Sequence, residues 1–130
     1  MPWLPDLHTP AEDLAFFTRM IPDSVGWVAA DVEDGTVVGF ALTRDGWLDH
    51  LYVDPEHRGT GAGSALLQAA ILEAGPDIRL WVFQRNHQAR AFYLTRGFVE
   101  IESTDGADNE EHEPDVLMQL RQLPISARTA

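Results

Sequence analysis

The sequence predicts an α+β fold, a mixed and mostly antiparallel sheet with helices on both faces. Three observations predict it. Two Asp-Gly pairs, Asp34-Gly35 and Asp45-Gly46, separate β-rich runs and mark hairpins. A glycine-rich loop from Arg58 to Gly63 leads from the last of these runs into a helical one. A further β-rich run follows that helix, in the order of a parallel crossover. With 130 residues, 45% of them apolar, the chain fits one domain around one core. That domain is expected over 1–123, with 124–130 as a loose tail.

The elements follow in order. Residues 10–20 read as a helix, because Leu14, Phe17 and Ile21 recur at helical spacing and Pro22 stops the run. Strands are expected over 25–32, 36–43 and 47–53, joined by the two Asp-Gly turns into an antiparallel meander. A helix over 63–74 places Leu66, Leu67, Ala70 and Ile71 on its buried side and stops at Gly75-Pro76. A fourth strand over 78–83 comes next. Asn86 is suited to cap a second helix, which ends at Arg96-Gly97. Residues 98–101 and 116–120 read as a closing hairpin, with a long acidic loop between them.

Composition removes several functions. There is no cysteine, hence no disulfide, thiolate metal site or cysteine nucleophile. The formal net charge of -12 repels nucleic acid and anionic membrane surfaces and suits a cationic partner. All nine basic residues are arginines, so chemistry that needs a lysine is excluded. No apolar run is long enough to span a bilayer, and no basic stretch precedes an apolar one at the N-terminus. A cytoplasmic protein is the expectation.

Chemistry concentrates in Arg58-Gly59-Thr60-Gly61-Ala62-Gly63-Ser64. Glycines let a backbone turn sharply and come close to a ligand. The N–H groups at a helix start favour an anion, and an arginine adds a forked contact. The loop therefore reads as a pyrophosphate cradle; the bland alternative is a tight turn. A Walker loop requires a lysine, which is absent. The dinucleotide pattern requires a third glycine where Ser64 or Leu66 stands.

Arg58-x-x-Gly61-x-Gly63, following Leu51-Tyr52-Val53-Asp54-Pro55, resembles the signature of the GNAT superfamily of N-acetyltransferases. Asn86-x-x-Ala89-x-x-Phe92-Tyr93-x-x-x-Gly97-Phe98 resembles that superfamily's later helix, at the expected distance downstream. The likeness spans roughly 10–120. It implies acetyl-CoA as cosubstrate and a primary amine, in a small molecule or a peptide, as acceptor. It also implies that the strands over 47–53 and 78–83 splay apart around the pantetheine arm. Backbone groups of Leu51 and Val53 would pair with that arm, and the segment from Arg58 through Thr60, Ala62 and Ser64 would hold the pyrophosphate. Asn86 would touch the pantetheine. Phe92 would form core or cofactor wall, and Tyr93 would act as general acid toward the departing thiolate.

An ammonium with a pKa of about 10.4 must lose its proton before it attacks, so a base is expected. Asp49 and His50 lie on the strand beside the acyl site. Strict alternation groups Asp49 with Trp47, Leu51 and Val53, and His50 with Leu48 and Tyr52. Asp49 is the chosen base, and His50 reads rather as a structural hydrogen-bonder. The carboxylates of 104–115 would attract a cationic acceptor, or form only a solvated loop; no metal site is expected there. Members of the superfamily usually open with a strand and a helix, but only nine residues stand before position 10 and no strand is read in them, so the usual first strand and helix are both expected to be lacking. The strand over 25–32 would then be a bare edge, so a homodimer is expected to cover it. A non-catalytic acyl-CoA-binding or regulatory module is the rival reading.

Overall fold

The computed structural model describes residues 4–9, 14–59 and 61–121, with side chains from Leu14 onward. The expected tail over 124–130, residues 10–13 and Thr60 lie outside the described residues. The chain divides after Gly75 into two compact units.

The first unit is an antiparallel sheet whose strands lie side by side in chain order: β1 (Leu4–Thr9), β2 (Leu14–Ile21), β3 (Ser24–Asp31), β4 (Val37–Arg44) and β5 (Trp47–Val53). Helix α1 (Ala62–Ala74) packs on β3, β4 and β5. The meander is the expected one. Asp45 and Gly46 join β4 to β5 with φ of 52° and 84°, the left-handed pair that suits strand twist. Between β3 and β4 the Glu33 N–H donates to the Asp31 carboxylate at 2.7 Å.

The helix expected over 10–20 is not there. Residues 14–21 form β2, paired along its whole length with β3 from Leu14↔Asp31 to Ile21↔Ser24. Leu14 and Phe16 alternate inward and are each 1% exposed. A largely apolar run of eight residues satisfies both periods, and only pairing on both sides decides between them. Pro22-Asp23, read as a helix stop, is instead a tight turn with Asp23 at φ 63°. Nor is an N-terminal strand lacking, since β1 pairs antiparallel with β2. Strand β3 therefore has neighbours on both sides. The bare edge that called for a homodimer does not exist, and that reason for one falls. Among the described residues no α-helix precedes α1.

Trp27, Ala29, Ala41 and Leu48 form the helix-covered face of the sheet, under Leu66, Leu67 and Ala70 of α1. Gly39 brings the layers together. A Cβ there would stand 2.7 Å from the Tyr52 carbonyl oxygen and 3.2 Å from Leu66 Cδ1. Only hydrogen fits between β4, β5 and the helix.

The second unit holds β6 (Arg79–Phe83), α2 (His87–Leu94), β7 (Phe98–Ser103) and β8 (Asp115–Leu120). Strand β8 lies between β6 and β7, antiparallel to both, so the expected closing hairpin is present. Alternate residues Val116, Met118 and Leu120 of β8 are buried with Leu80 and Phe98. Among the described residues no helix is long and apolar enough to cross a membrane.

Candidate functional site

Two arrangements carry chemistry, one in each unit. In the first, β5 leads through a short 3-10 turn (Pro55–His57) into the glycine loop and α1. Asp54 caps that turn by accepting from the Glu56 N–H at 3.3 Å, and the Arg58 N–H closes it on the Pro55 carbonyl at 3.4 Å. Gly59 and Gly61 then take φ of 81° and 93°. Around Gly59 a Cβ would meet nothing within 4 Å, so the backbone borders open space. Helix α1 starts without a side-chain cap and with no acidic residue in its first turn. The Ala65 N–H donates to the Gly61 carbonyl at 3.0 Å. The amides of Ala62 and Gly63 lie in the first turn, where helix N–H groups find no partner within the helix itself. The partial positive charge of the helix end points the same way. An anionic diphosphate fits this geometry, and a capping carboxylate would have spoiled it.

The strand before the loop is also specialised. The Asp54 N–H donates to the Val38 carbonyl at 2.7 Å, which fixes the phase of the β4–β5 ladder. Bonded and non-bonded pairs alternate along an antiparallel ladder. Leu51, opposite Ala41, and Val53, opposite Gly39, therefore fall at non-bonded positions. Their N–H and C=O groups turn away from β4, as an extended amide ligand would require.

Strict alternation along β5 fails at one point. Leu42 pairs with His50 but Thr43 pairs with Leu48, so Asp49 is the extra residue of a β-bulge. Leu48 consequently joins Leu51 and Val53 on the face under α1, and His50 with Tyr52 takes the opposite face. The grouping expected from the sequence is corrected to that extent. The Asp49 carboxylate accepts from Arg44 Nε at 3.2 Å and is partly exposed. The His50 ring is exposed, 6.4 Å from the Phe40 centroid.

In the second unit, Asn86 caps α2 as expected, its Oδ1 accepting from the Ala89 N–H at 3.1 Å. Its carboxamide nitrogen makes no hydrogen bond among the described residues. Tyr93 is the buried residue of α2, 8% exposed, with its ring between Phe92 at 5.3 Å and Phe98 at 5.4 Å. Burial pushes its phenol well above the ordinary 10.0, so it keeps its proton at any working pH. Phe92 is half-buried and carries the Arg96 guanidinium 3.8 Å above its ring.

Two anchors escaped the sequence reading. Arg90 donates to the Gln84 carbonyl at 2.7 Å and to Glu100 at 2.8 Å, tying α2 to the end of β6 and to β7. The acidic loop closes on itself through Asn109, whose amide donates to the Glu113 carbonyl at 2.7 Å and whose Oδ1 accepts from the Glu113 N–H at 3.1 Å. The Thr104 hydroxyl donates to Asp115, and Arg85 pairs with Glu113 at 2.7 Å. Asn-for-loop-closure has no spacing signature that a single sequence displays.

The sequence profile of the acetyltransferase (GNAT) family matches residues 2–98. The peptidyl-lysine N-acetyltransferase YjaB of Escherichia coli is 36% identical over 93 residues, which are 72% of this chain and 60% of that protein. The chain thus spans less than two thirds of that relative's length. The crystal structure of nourseothricin acetyltransferase superposes with a TM-score of 0.67 at 28% identity, over 76% of this chain and 65% of that one. A Bacillus anthracis protein solved in complex with acetyl coenzyme A shares the fold, with a TM-score of 0.69 at 21% identity over 81% and 66% of the two chains. The mixed, mostly antiparallel sheet with its helices is common to these structures. By the profile and by both motifs, this chain belongs to the GNAT family of acetyltransferases.

Proposed function

We propose that the protein transfers an acetyl group from acetyl-CoA to a primary amine by direct attack. One observation carries the reading: the uncapped start of α1, opened by Gly59 and Gly61, follows directly on a strand whose Leu51 and Val53 turn their backbone groups outward. Together they suit a diphosphate joined to an extended amide chain. The segment 58–64 would hold the diphosphate, Arg58 included, and Leu51 and Val53 the pantetheine, with Asn86 and Phe92 as further contacts.

The amine nitrogen attacks the thioester carbonyl, a C–N bond forms, the C–S bond breaks, and the sulfur leaves as thiolate. Tyr93 is the proposed proton donor to that sulfur. Its raised pKa keeps the hydroxyl protonated but weakens it as an acid toward a thiolate of about 8.5. Its contribution is therefore a hydrogen bond to the developing sulfur anion, with transfer completed as solvent reaches the site. Asp49 remains the proposed base. Its carboxylate also holds Arg44 Nε at 3.2 Å, and a water between it and the amine would bridge the step. The name of the Escherichia coli relative supports a lysine side chain as acceptor.

The test is thiol release from acetyl-CoA against a panel of amines. Release with at least one primary amine is expected. Tight acetyl-CoA binding with no release under any amine would instead support the non-catalytic acyl-CoA-binding module.

A further inference from the structure

The face of the first unit's sheet opposite α1 carries an apolar row that the cofactor reading does not use. Phe17 pairs with Val28, Val28 with Phe40, and Phe40 with Tyr52, one residue from each of β2 to β5. At four strands about 4.8 Å apart the row is roughly 14 Å long. Phe17 and Val28 are half-buried, whereas Phe40 and Tyr52 are 40% and 48% exposed. Their ring centroids lie 5.8 Å apart, tilted by 34°.

Contiguous exposed apolar surface, unlike scattered exposed residues, marks a place that something uses. The position of Tyr52 says what. It sits between Leu51 and Val53, so the row ends on the strand proposed to hold the pantetheine, on the side away from α1. An acceptor approaching from that side must cross the Phe40–Tyr52 pair. Ring faces are negative and attract an ammonium, and the rest of the row suits an aliphatic stem. The net charge of -12 favours a cation over the whole surface.

We propose that Phe40 and Tyr52 form the acceptor platform, taking an alkylammonium on an aliphatic stem such as a lysine side chain. The proposal rests on the acetyl-transfer reading for its direction of approach, but not for its test. Nα-acetyl-lysine amide and its neutral counterpart Nα-acetyl-norleucine amide are titrated into the whole chain with CoA present, and the aromatic resonances are followed by NMR. No turnover is needed. The lysine compound should shift the Phe40 and Tyr52 ring signals, and the norleucine compound should bind about fivefold more weakly. Tyr52→Leu, which keeps an apolar β-surface, should weaken the lysine compound by about two- to fivefold. Tyr52→Phe should retain binding, since the ring and not the hydroxyl acts.

Unmoved ring signals, or equal binding of the two compounds, overturn the platform. So does a dimer in sedimentation that Tyr52→Leu dissolves, because a second copy would then own the face. Intact ring shifts without acetylation of any amine count against acetyl transfer and leave the platform standing.

Discussion

Two glycine-bearing loops of this chain, one into α1 and one between β7 and β8, have opposite designs. The loop into α1 turns at Gly59, where an added Cβ would meet nothing within 4 Å. The acidic loop turns at Gly106, where an added Cβ would overlap the backbone of Glu113. Both glycines have left-handed φ, 81° and 83°. The first keeps space open for something else, and the second lets the loop fill its own space. Asn109, Thr104 and Asp115 then satisfy the acidic loop's polar groups from within. A loop that completes its own hydrogen bonds is scaffold first, whereas an open turn at a helix start suits the diphosphate proposed for it.

Substitutions can break the comparison. The largest effect is expected at Gly106. Gly106→Ala adds steric overlap to backbone strain and should cost about 3 kcal/mol or more, lowering Tm by roughly 10 °C. Acetyl-CoA affinity of the folded protein, by calorimetric titration, should be unchanged. Tyr93→Phe comes next: kcat should fall about a hundredfold with KM for acetyl-CoA unchanged. Full turnover in that variant would remove Tyr93 from the mechanism. Gly59→Ala should weaken acetyl-CoA about tenfold while costing only about 1 kcal/mol of stability, since strain acts there without overlap. If Gly59→Ala unfolds the chain as Gly106→Ala does, the contrast between the loops is lost.

A smaller effect is read from pH. The folded pKa of Tyr93 lies above its unfolded 10.0, so its neutral form is the one the fold favours. The stability this contributes is constant below pH 10 and declines as pH rises through the alkaline range. Chemical denaturation at a series of pH values should show a decline that is shallower in Tyr93→Phe. The smallest effect belongs to Arg85→Ala. Its pair with Glu113 is short, but the Arg85 side chain is 78% exposed, and the loss should stay under about 0.5 kcal/mol in the same denaturation measurement.

What the sequence made legible follows from range. Asp45-Gly46 and Asn86 act within a few residues, and both turn and cap stand where they were expected. The loop 58–64 was readable because its glycines serve local geometry. Residues 14–21 were misread because their choice between helix and strand is made by partners, β1 on one side and β3 on the other. The faces of β5 were misread for a related reason. A two-residue turn at 45–46 fixes Arg44↔Trp47, and counting onward places Phe40 opposite Leu51. The bulge shifts the count by one, so Phe40 meets Tyr52 instead. Nothing in Leu48-Asp49-His50 marks the slip, and the aromatic pair it creates was invisible until strands were laid side by side.

That slip also makes one position in β5 expendable in length. Removing a residue from a strand ordinarily turns everything beyond it inside out. Deleting Asp49 would not. Leu48 would still stand opposite Thr43 and His50 opposite Leu42, with every inward side chain still inward. The chain would lose the proposed base with its Arg44 pairing and the extra local twist, but nothing of its hydrophobic sorting. Position 49 is thus a splice point within a strand, where the chain can be shortened by one residue without rewriting its interior.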